Sequence, residues 1–217
     1  MKSVLIPLVA VSLFVTIACR QNGPVEASRS ASSVSIESSQ LTQIDSPLLK
    51  KVIDSAIEQT TRTVGYDPAY VKLDYPGGDV PIQTGVCSDV VVRSLRRAGV
   101  DLQKEVHEDM TRNFAAYPKM WGLQRPDSNI DHRRVPNLMT YFKRAGKARE
   151  ITADSKDYLP GDVVAWKLDN GLLHIGIVSN VRPSGGERHA VVHNIGAGAR
   201  LEDVLFSWRI IGHYRYF

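Results

Sequence analysis

The chain has 217 residues, of which 43% are hydrophobic and 23% are charged, which is ordinary for a globular protein with one well-buried domain and an appendage. Its net charge of +4 is mildly basic, which suits anionic surroundings but falls short of a nucleic-acid-binding protein. Two cysteines exclude a disulfide framework.

The N-terminus is typical of a secreted bacterial protein. Lys2 precedes an apolar run over residues 4–18 that is too short to cross a membrane but suits a signal peptide, predicted here as residues 1–18. Ala18 followed by Cys19 resembles the lipobox of bacterial lipoproteins, in which the cysteine carries lipid. This resemblance implies lipidation of Cys19, attachment to a membrane and a periplasmic location. Arg20 favours the outer membrane by the same analogy, and cleaved secretion and an uncleaved anchor are the alternatives.

A tether and four helices are predicted next along the chain. Residues 19–46 are rich in Ser and Gln without an apolar period, which predicts a flexible tether before a folded domain at 47–217. Ser46 and Pro47 form a typical helix start. A loop rich in Pro and Gly then leads to Cys87 and holds a short extended piece at residues 70–73. The predicted helices cover residues 47–63, 87–99, 102–116 and 135–145.

The second half of the chain has the pattern of strands. Short β-branched or aromatic runs are separated by Asn-Gly, Gly-Gly and Gly-Ala-Gly turns. Helices followed by antiparallel strands predict an α+β fold. The predicted strands cover residues 162–168, 173–178, 190–195 and 210–216.

One cysteine and two histidines stand where nucleophilic chemistry would need them. Cys87 opens a helix, and a helix N-terminus beside an imidazolium lowers the pKa of a thiol. His174 lies on a strand next to Gly176, and a third polar group must hold its ring in the right tautomer. Either His193 or Asn194 can do so, and we favour His193. The alternatives are a buried cysteine and a hydrogen-bonded core histidine.

The order of these motifs resembles a known family. The segments 84–99 and 160–196, with the cysteine at a helix start, then PGD, HIGIVS and VVHN, resemble the NlpC-type peptidases and amidases of the bacterial cell wall. That resemblance implies a papain-like fold and a Cys-His-His triad of Cys87 as nucleophile, His174 as base and His193 as its orienting partner. The segments GVCSDVV, VHEDM and WGLQRPDSNIDHRRVPN also resemble a bacterial domain family of unknown function (DUF1287-type).

The NlpC resemblance implies a cysteine-dependent amide hydrolase acting on peptidoglycan stem peptide or a related cell-wall peptide. An inactive peptide-binding module of the same fold and an acyltransferase using the same cysteine are the alternatives. No cofactor is expected, and the acidic and histidine residues at 107–109 and 131–132 lack the spacing of a metal site. The residues expected to contact the substrate are Tyr66, Asp67, Asp89, His132, Arg133, Arg134 and Asn194.

Overall fold

The computed structural model describes residues 33–36 and 39–217 of the chain. The predicted signal peptide, the lipidation of Cys19 and most of the predicted tether lie outside these residues. Within the described part, no helix is both long enough and apolar enough to span a membrane.

Four helices form where the apolar spacing predicts them. The Ser46 side chain accepts a hydrogen bond from the Leu49 N–H group at 3.4 Å and so caps the first helix, while Gly99 has a φ of 88° just beyond the second. The third helix ends earlier than predicted, because residues 114–116 form a short 3-10 turn. The helices are α1 (Pro47–Arg62), α2 (Cys87–Arg97), α3 (Leu102–Asn113) and α4 (Val135–Arg144).

An antiparallel sheet follows the helices, as predicted for an α+β fold. Its five strands are ordered β6-β5-β3-β2-β7, and β1 and β4 form a separate pair. The strands are β1 (Gln40–Leu41), β2 (Val163–Lys167), β3 (Leu173–Val178), β4 (Val181–Arg182), β5 (Val191–Asn194), β6 (Ala199–Glu202) and β7 (Arg209–Tyr214). The extended piece predicted at residues 70–73 is not a strand, because the Leu73 N–H group bonds the side chain of Asn129 in a loop.

The tether predicted over residues 19–46 needs correction at its C-terminal end. β1 lies within it and pairs with β4, and the Thr42 N–H group donates to the Asn180 carbonyl at 2.8 Å. Ser33 forms a further antiparallel bridge with Glu202 of β6. These backbone hydrogen bonds hold residues 40–42 against the domain, because strand edges leave N–H and C=O groups that need partners.

The sheet has two different faces, and this difference positions the site. Ala165 and Ile175 are paired across β2 and β3 and belong to the large core that includes Cys87 and the rest of α2. Trp166 and His174 are the next pair, so they lie on the opposite face. That opposite face carries a smaller apolar cluster built around Trp166, Val191 and Leu205.

Candidate active site

Cys87 is the first residue of α2, and it is only 5% exposed. Burial raises the pKa of the Cys87 thiol to about 12. The nearby backbone N–H groups of Ile175, Ser88 and Cys87 lower this pKa, but their effect is smaller. The thiol is therefore protonated at neutral pH in this state, and a base must remove its proton before or during any nucleophilic attack.

The Ile175 N–H group is free to reach this sulfur because β3 and β5 separate at that point. Their ladder pairs Ile177 with Val192 and Val178 with Val191. The Ser179 N–H group bonds the Ala190 carbonyl, so the odd-numbered N–H groups of β3 point towards β5. The Ile175 N–H group points the same way beyond the end of the ladder, where it lies close to the Cys87 sulfur.

Three side chains on the sheet form a continuous hydrogen-bonded relay. His174 Nε2 lies 2.8 Å from His193 Nδ1, and His193 Nε2 lies 2.8 Å from a carboxylate oxygen of Glu202. His174 and His193 are buried, whereas 13% of the Glu202 side chain is exposed. Glu202 stands opposite Val191, so β6 presents it on the same face as His193.

The relay fixes which ring nitrogens carry protons. The Glu202 carboxylate only accepts hydrogen bonds, so His193 donates from Nε2 and its Nδ1 is left as an acceptor. His174 must then donate from Nε2, because that atom bonds the bare Nδ1 of His193. A neutral His174 therefore has its lone pair on Nδ1, the nitrogen that can act as a base.

Two tryptophans keep His174 in its neutral form. The Trp166 ring stacks on His174 with 5.8 Å between ring centroids, and the Trp208 ring meets both histidines edge-on at 5.9 and 6.0 Å. Burial lowers the pKa of His174 well below its ordinary value. His174 is thus a base that stays unprotonated at neutral pH.

Gly176 allows the two histidine strands to come this close. A Cβ atom at that position would lie 2.9 Å from a Val191 methyl group, 2.9 Å from the Val192 carbonyl oxygen and 3.0 Å from His193 Cβ. Any larger residue would push β5 away from β3 and would lengthen the hydrogen bond between the histidines.

The two predicted triad histidines lie on one face of the sheet, whereas Cys87 belongs to the core on the other face and comes close to β3 only at its main chain. His174 and His193 are hydrogen-bonded, and Cys87 touches the main chain of β3 at Ile175, the residue that follows His174. No direct hydrogen bond joins Cys87 to His174 among residues 33–36 and 39–217. Within the same ranges, no cluster of three or more His, Cys, Asp or Glu side chains could hold a metal ion.

Of the residues expected to contact substrate, Tyr66 and Asp67 are exposed beside Cys87. Their loop runs alongside residues 83–85, the segment that leads into α2. The Gly65 N–H group bonds the Gln83 carbonyl, and the Asp67 N–H group bonds the Gly85 carbonyl. Tyr66 is 41% exposed. Partial burial, followed by the charges of Cys87 and Asp89, raises the pKa of the Tyr66 phenol to about 12. Both side chains can thus meet a ligand that approaches the thiol.

Asp89 and Arg133, in contrast, are buried and bonded to each other. Arg133 Nε and Nη2 each lie 2.9 Å from an Asp89 oxygen, and Asp89 also accepts the Val86 N–H group at 2.7 Å. Arg133 Nη1 donates to the Ala69 carbonyl, and Nη2 donates also to the Asp67 carbonyl. The expectation of substrate contact from these two residues needs correction, because their polar atoms anchor α2 and the Tyr66 loop instead.

Replacing Asp89 by asparagine should cost the fold about 3 to 5 kcal/mol, because it leaves the Arg133 guanidinium buried without its counter-charge. Urea unfolding at neutral pH measures this loss. The matched control is Asp54→Asn, which breaks an exposed pair with Lys50 and should change stability by less than about 1 kcal/mol. A loss for Asp89→Asn as small as that of the control would contradict the anchoring role.

Two of the remaining three residues, His132 and Asn194, also have internal roles, whereas substrate contact by Arg134 stays a prediction. His132 is buried, and burial lowers its pKa to about 4. Asn194 donates to the carbonyls of Gly65 and Gly85 and so ties the loop before Cys87 to β5. Arg134 is half-buried, with its guanidinium 4.2 Å from the centre of the Trp121 ring. For His132 and Asn194 the expectation of substrate contact again gives way to an internal role.

Glu202 is the member of the site that the sequence did not predict. It lies in the segment ARLE, whose alternation is too short and too polar to be recognised as a strand. The available signal was an acidic residue a few positions after the VVHN run, across a Gly-Ala-Gly turn that brings β6 back beside β5.

Comparison with known proteins identifies the family. The sequence matches the family described as "Domain of unknown function (DUF1287)" over residues 53–216. The chain belongs to this family. The matched range includes Cys87, both histidines of the relay and Glu202, so the whole candidate site lies in the DUF1287 domain. The family description states no activity.

Individual proteins are also similar to this DUF1287 chain, among them one relative and one solved structure. The "Uncharacterized protein YijF" of Escherichia coli (strain K12) is 59% identical over 177 residues, which are 82% of this chain and 86% of that protein. A crystal structure from Staphylococcus aureus subsp. aureus Mu50, described as similar to lipoprotein, NLP/P60 family, is 15% identical with a TM-score of 0.39. That comparison covers 81% of this chain but only 43% of the Staphylococcus protein.

Proposed function

We propose that this protein is a cysteine-dependent amide hydrolase that cuts a bacterial cell-wall peptide. The observation that carries the proposal is the buried relay of Glu202, His193 and His174, together with a cysteine at a helix N-terminus that lies close to the backbone N–H group of Ile175, the residue after His174. A buried histidine pair needs no carboxylate partner for packing alone, whereas a base that must keep one tautomer does. The cell-wall substrate is inferred from the motif order around Cys87, His174 and His193.

The proposed reaction begins with proton transfer from the Cys87 thiol to His174 Nδ1 as the sulfur attacks the peptide carbonyl carbon. The new C–S bond gives a tetrahedral intermediate, and the N–H group of Ser88 and the α2 dipole can stabilise its oxyanion. The C–N bond then breaks while His174 returns the proton to the leaving amine. Water hydrolyses the thioester, which releases the acid and restores the thiol.

The surroundings of His174 favour its proposed role as the base for Cys87. Trp166 and Trp208 exclude water from His174, so the imidazole is neutral and available as a base near pH 7. Glu202 at the far end of the relay stabilises the positive charge that His174 gains during the reaction. Tyr66 and Asp67 line the approach to the thiol.

We also propose, from the signal-peptide pattern and Cys19, that the enzyme is anchored by lipid in the periplasm.

Incubation of the full-length protein with defined muropeptides, followed by mass spectrometry of the products, tests the proposal. Hydrolysis of one amide bond adds the mass of one water, and the fragments identify the bond that was cut. A product that instead carries the acyl group on an added amine would show an acyltransferase. Binding of muropeptides without any change in mass would show an inactive peptide-binding module, and either result would overturn the proposed hydrolase.

A further inference from the structure

A short segment that precedes α1 lies along the outer side of β6, the strand that carries Glu202. This segment, residues 33–36, is called the strap. The Val34 N–H group donates to the Leu201 carbonyl at 3.0 Å, and Ser33 forms an antiparallel bridge with Glu202. Because β6 is the last strand at its side of the five-stranded sheet, the strap gives this open edge a partner.

The two residues that attach the strap face different sides of the sheet. Directly opposed residues of an antiparallel pair present their side chains on the same face, with about 4.5 to 5.5 Å between their Cβ atoms. Ser33 therefore shares the face of Glu202, on which His193 also lies. Val34, the next residue, packs against the large core that includes Leu201. The apolar contact and the hydrogen bond of Val34 thus keep Ser33 beside the Glu202 carboxylate.

β6 has one outer hydrogen bond at each end, and the strap provides the one next to Glu202. The Ala199 N–H group bonds the Thr63 carbonyl at 2.8 Å, and the Leu201 carbonyl bonds the strap, so both groups point away from β5. β6 is only four residues long. Without the strap, the end of β6 that carries Glu202 would lose its outer hydrogen bond, and segments with few such bonds open most easily.

The strap can protect the relay without covering the thiol. The hydrogen bond between His193 Nε2 and Glu202 is 2.8 Å long, and it acts more strongly when water is kept away from it. Cys87 lies close to Ile175 on β3, and β5 and β6 separate β3 from the strap. Three strand spacings amount to roughly 14 Å. The strap therefore acts at the far end of the relay and leaves the approach to Cys87 open.

We propose that Ser33 and Val34 are positioning residues of the relay. Val34 holds the end of β6 in register, so that Glu202 keeps its hydrogen bond to His193 and the His193 proton stays on Nε2. Ser33 shields the carboxylate from water. The effect on catalysis rests on the proposed hydrolase function, whereas the protection of the hydrogen bond between His193 and Glu202 does not.

Hydrogen exchange in the full-length, ¹⁵N-labelled protein tests the structural part by NMR. Val34→Pro removes the N–H group that bonds Leu201. The Nε2 proton of His193 should then exchange with water at least about tenfold faster than in the parent, because β6 opens more often. Val34→Ile keeps the N–H group and the apolar contact and should exchange at the parental rate. An unchanged rate in Val34→Pro would overturn the proposal, whether or not the protein hydrolyses peptides.

The matched control is Ile36→Pro, which introduces the same ring two positions along the strap. Ile36 is exposed, and its N–H group bonds no residue in the described part of the chain. This variant should leave the exchange of the His193 proton unchanged. Equal acceleration in Ile36→Pro and Val34→Pro would show a general effect of proline and would also overturn the proposal.

The kinetics of muropeptide hydrolysis provide the second measurement. Val34→Pro should lower kcat about tenfold, the effect of one hydrogen bond, and should leave KM unchanged because the strap is remote from the thiol. Val34→Ile and Ile36→Pro should keep both parental constants. A parental kcat in Val34→Pro, or a rise in KM alone, would overturn the positioning role. A parent protein that hydrolyses no muropeptide would instead contradict the proposed function, and the exchange measurement would still decide the role of the strap.

Discussion

Replacement of Cys87 by alanine is expected to lower the rate of muropeptide hydrolysis by at least about 1,000-fold, because it removes the only atom proposed to form a bond with the substrate. The change deletes one sulfur atom from a buried position and leaves the relay of Glu202, His193 and His174 untouched. The loss should therefore appear in kcat, while urea unfolding shows a cost of about 1 to 2 kcal/mol for the small cavity.

Two controls distinguish this loss from misfolding. Cys87→Ser keeps a polar atom for the N–H groups of Ser88 and Ile175 and should be as stable as the parent, yet it should be nearly inactive because a hydroxyl is a far weaker nucleophile. Cys19→Ala removes the other cysteine and should retain the rate in a soluble assay. Full hydrolysis by Cys87→Ala would remove Cys87 from the mechanism.

The elements that the sequence predicts correctly are those set by local patterns. The helical apolar spacing after Ser46 and Cys87 and the apolar run that forms β3 predicted their elements closely. Strands β1, β4 and β6 were not predicted, because they are only two to four residues long. They are stabilised by pairing with other strands and not by a local sequence pattern. Tertiary hydrogen bonding decides such strands, and no local period records it.

The candidate site also has parts that local patterns predict and parts that depend on contacts between distant residues. Alternation along β3 and β5 predicts that His174 and His193 share a face, and they are hydrogen-bonded. The burial of Asp89 was not predictable, because a charged residue is expected at the surface unless it is paired, and its partner Arg133 lies 44 positions away. Glu202 depends on the register of β6 against β5, which a single sequence does not specify.

Glu202→Gln is expected to lower kcat by about 100-fold to 10,000-fold, the range for a wrong tautomer in a catalytic relay. Glutamine fills the same space, but its NH₂ group can donate to His193 Nε2. His193 would then carry its proton on Nδ1 and donate to His174 Nε2, which forces the His174 proton onto Nδ1. The base that should receive the thiol proton would be blocked, although the hydrogen bonds and the packing remain.

The pH profile of hydrolysis separates this positioning role from a merely structural one. In the parent, the rate should stay constant as the pH falls through 6.5 and should decline only at lower pH, because burial lowers the pKa of His174 and keeps it neutral. Loss of the carboxylate removes a charge that favours protonated imidazole, so the acid limb of the Glu202→Gln profile should lie at still lower pH. The matched control is Asp203→Asn, which removes a neighbouring carboxylate bonded to Arg188 and should leave kcat and the profile unchanged. A Glu202→Gln variant with parental kcat would show that His193 orients His174 without help from β6.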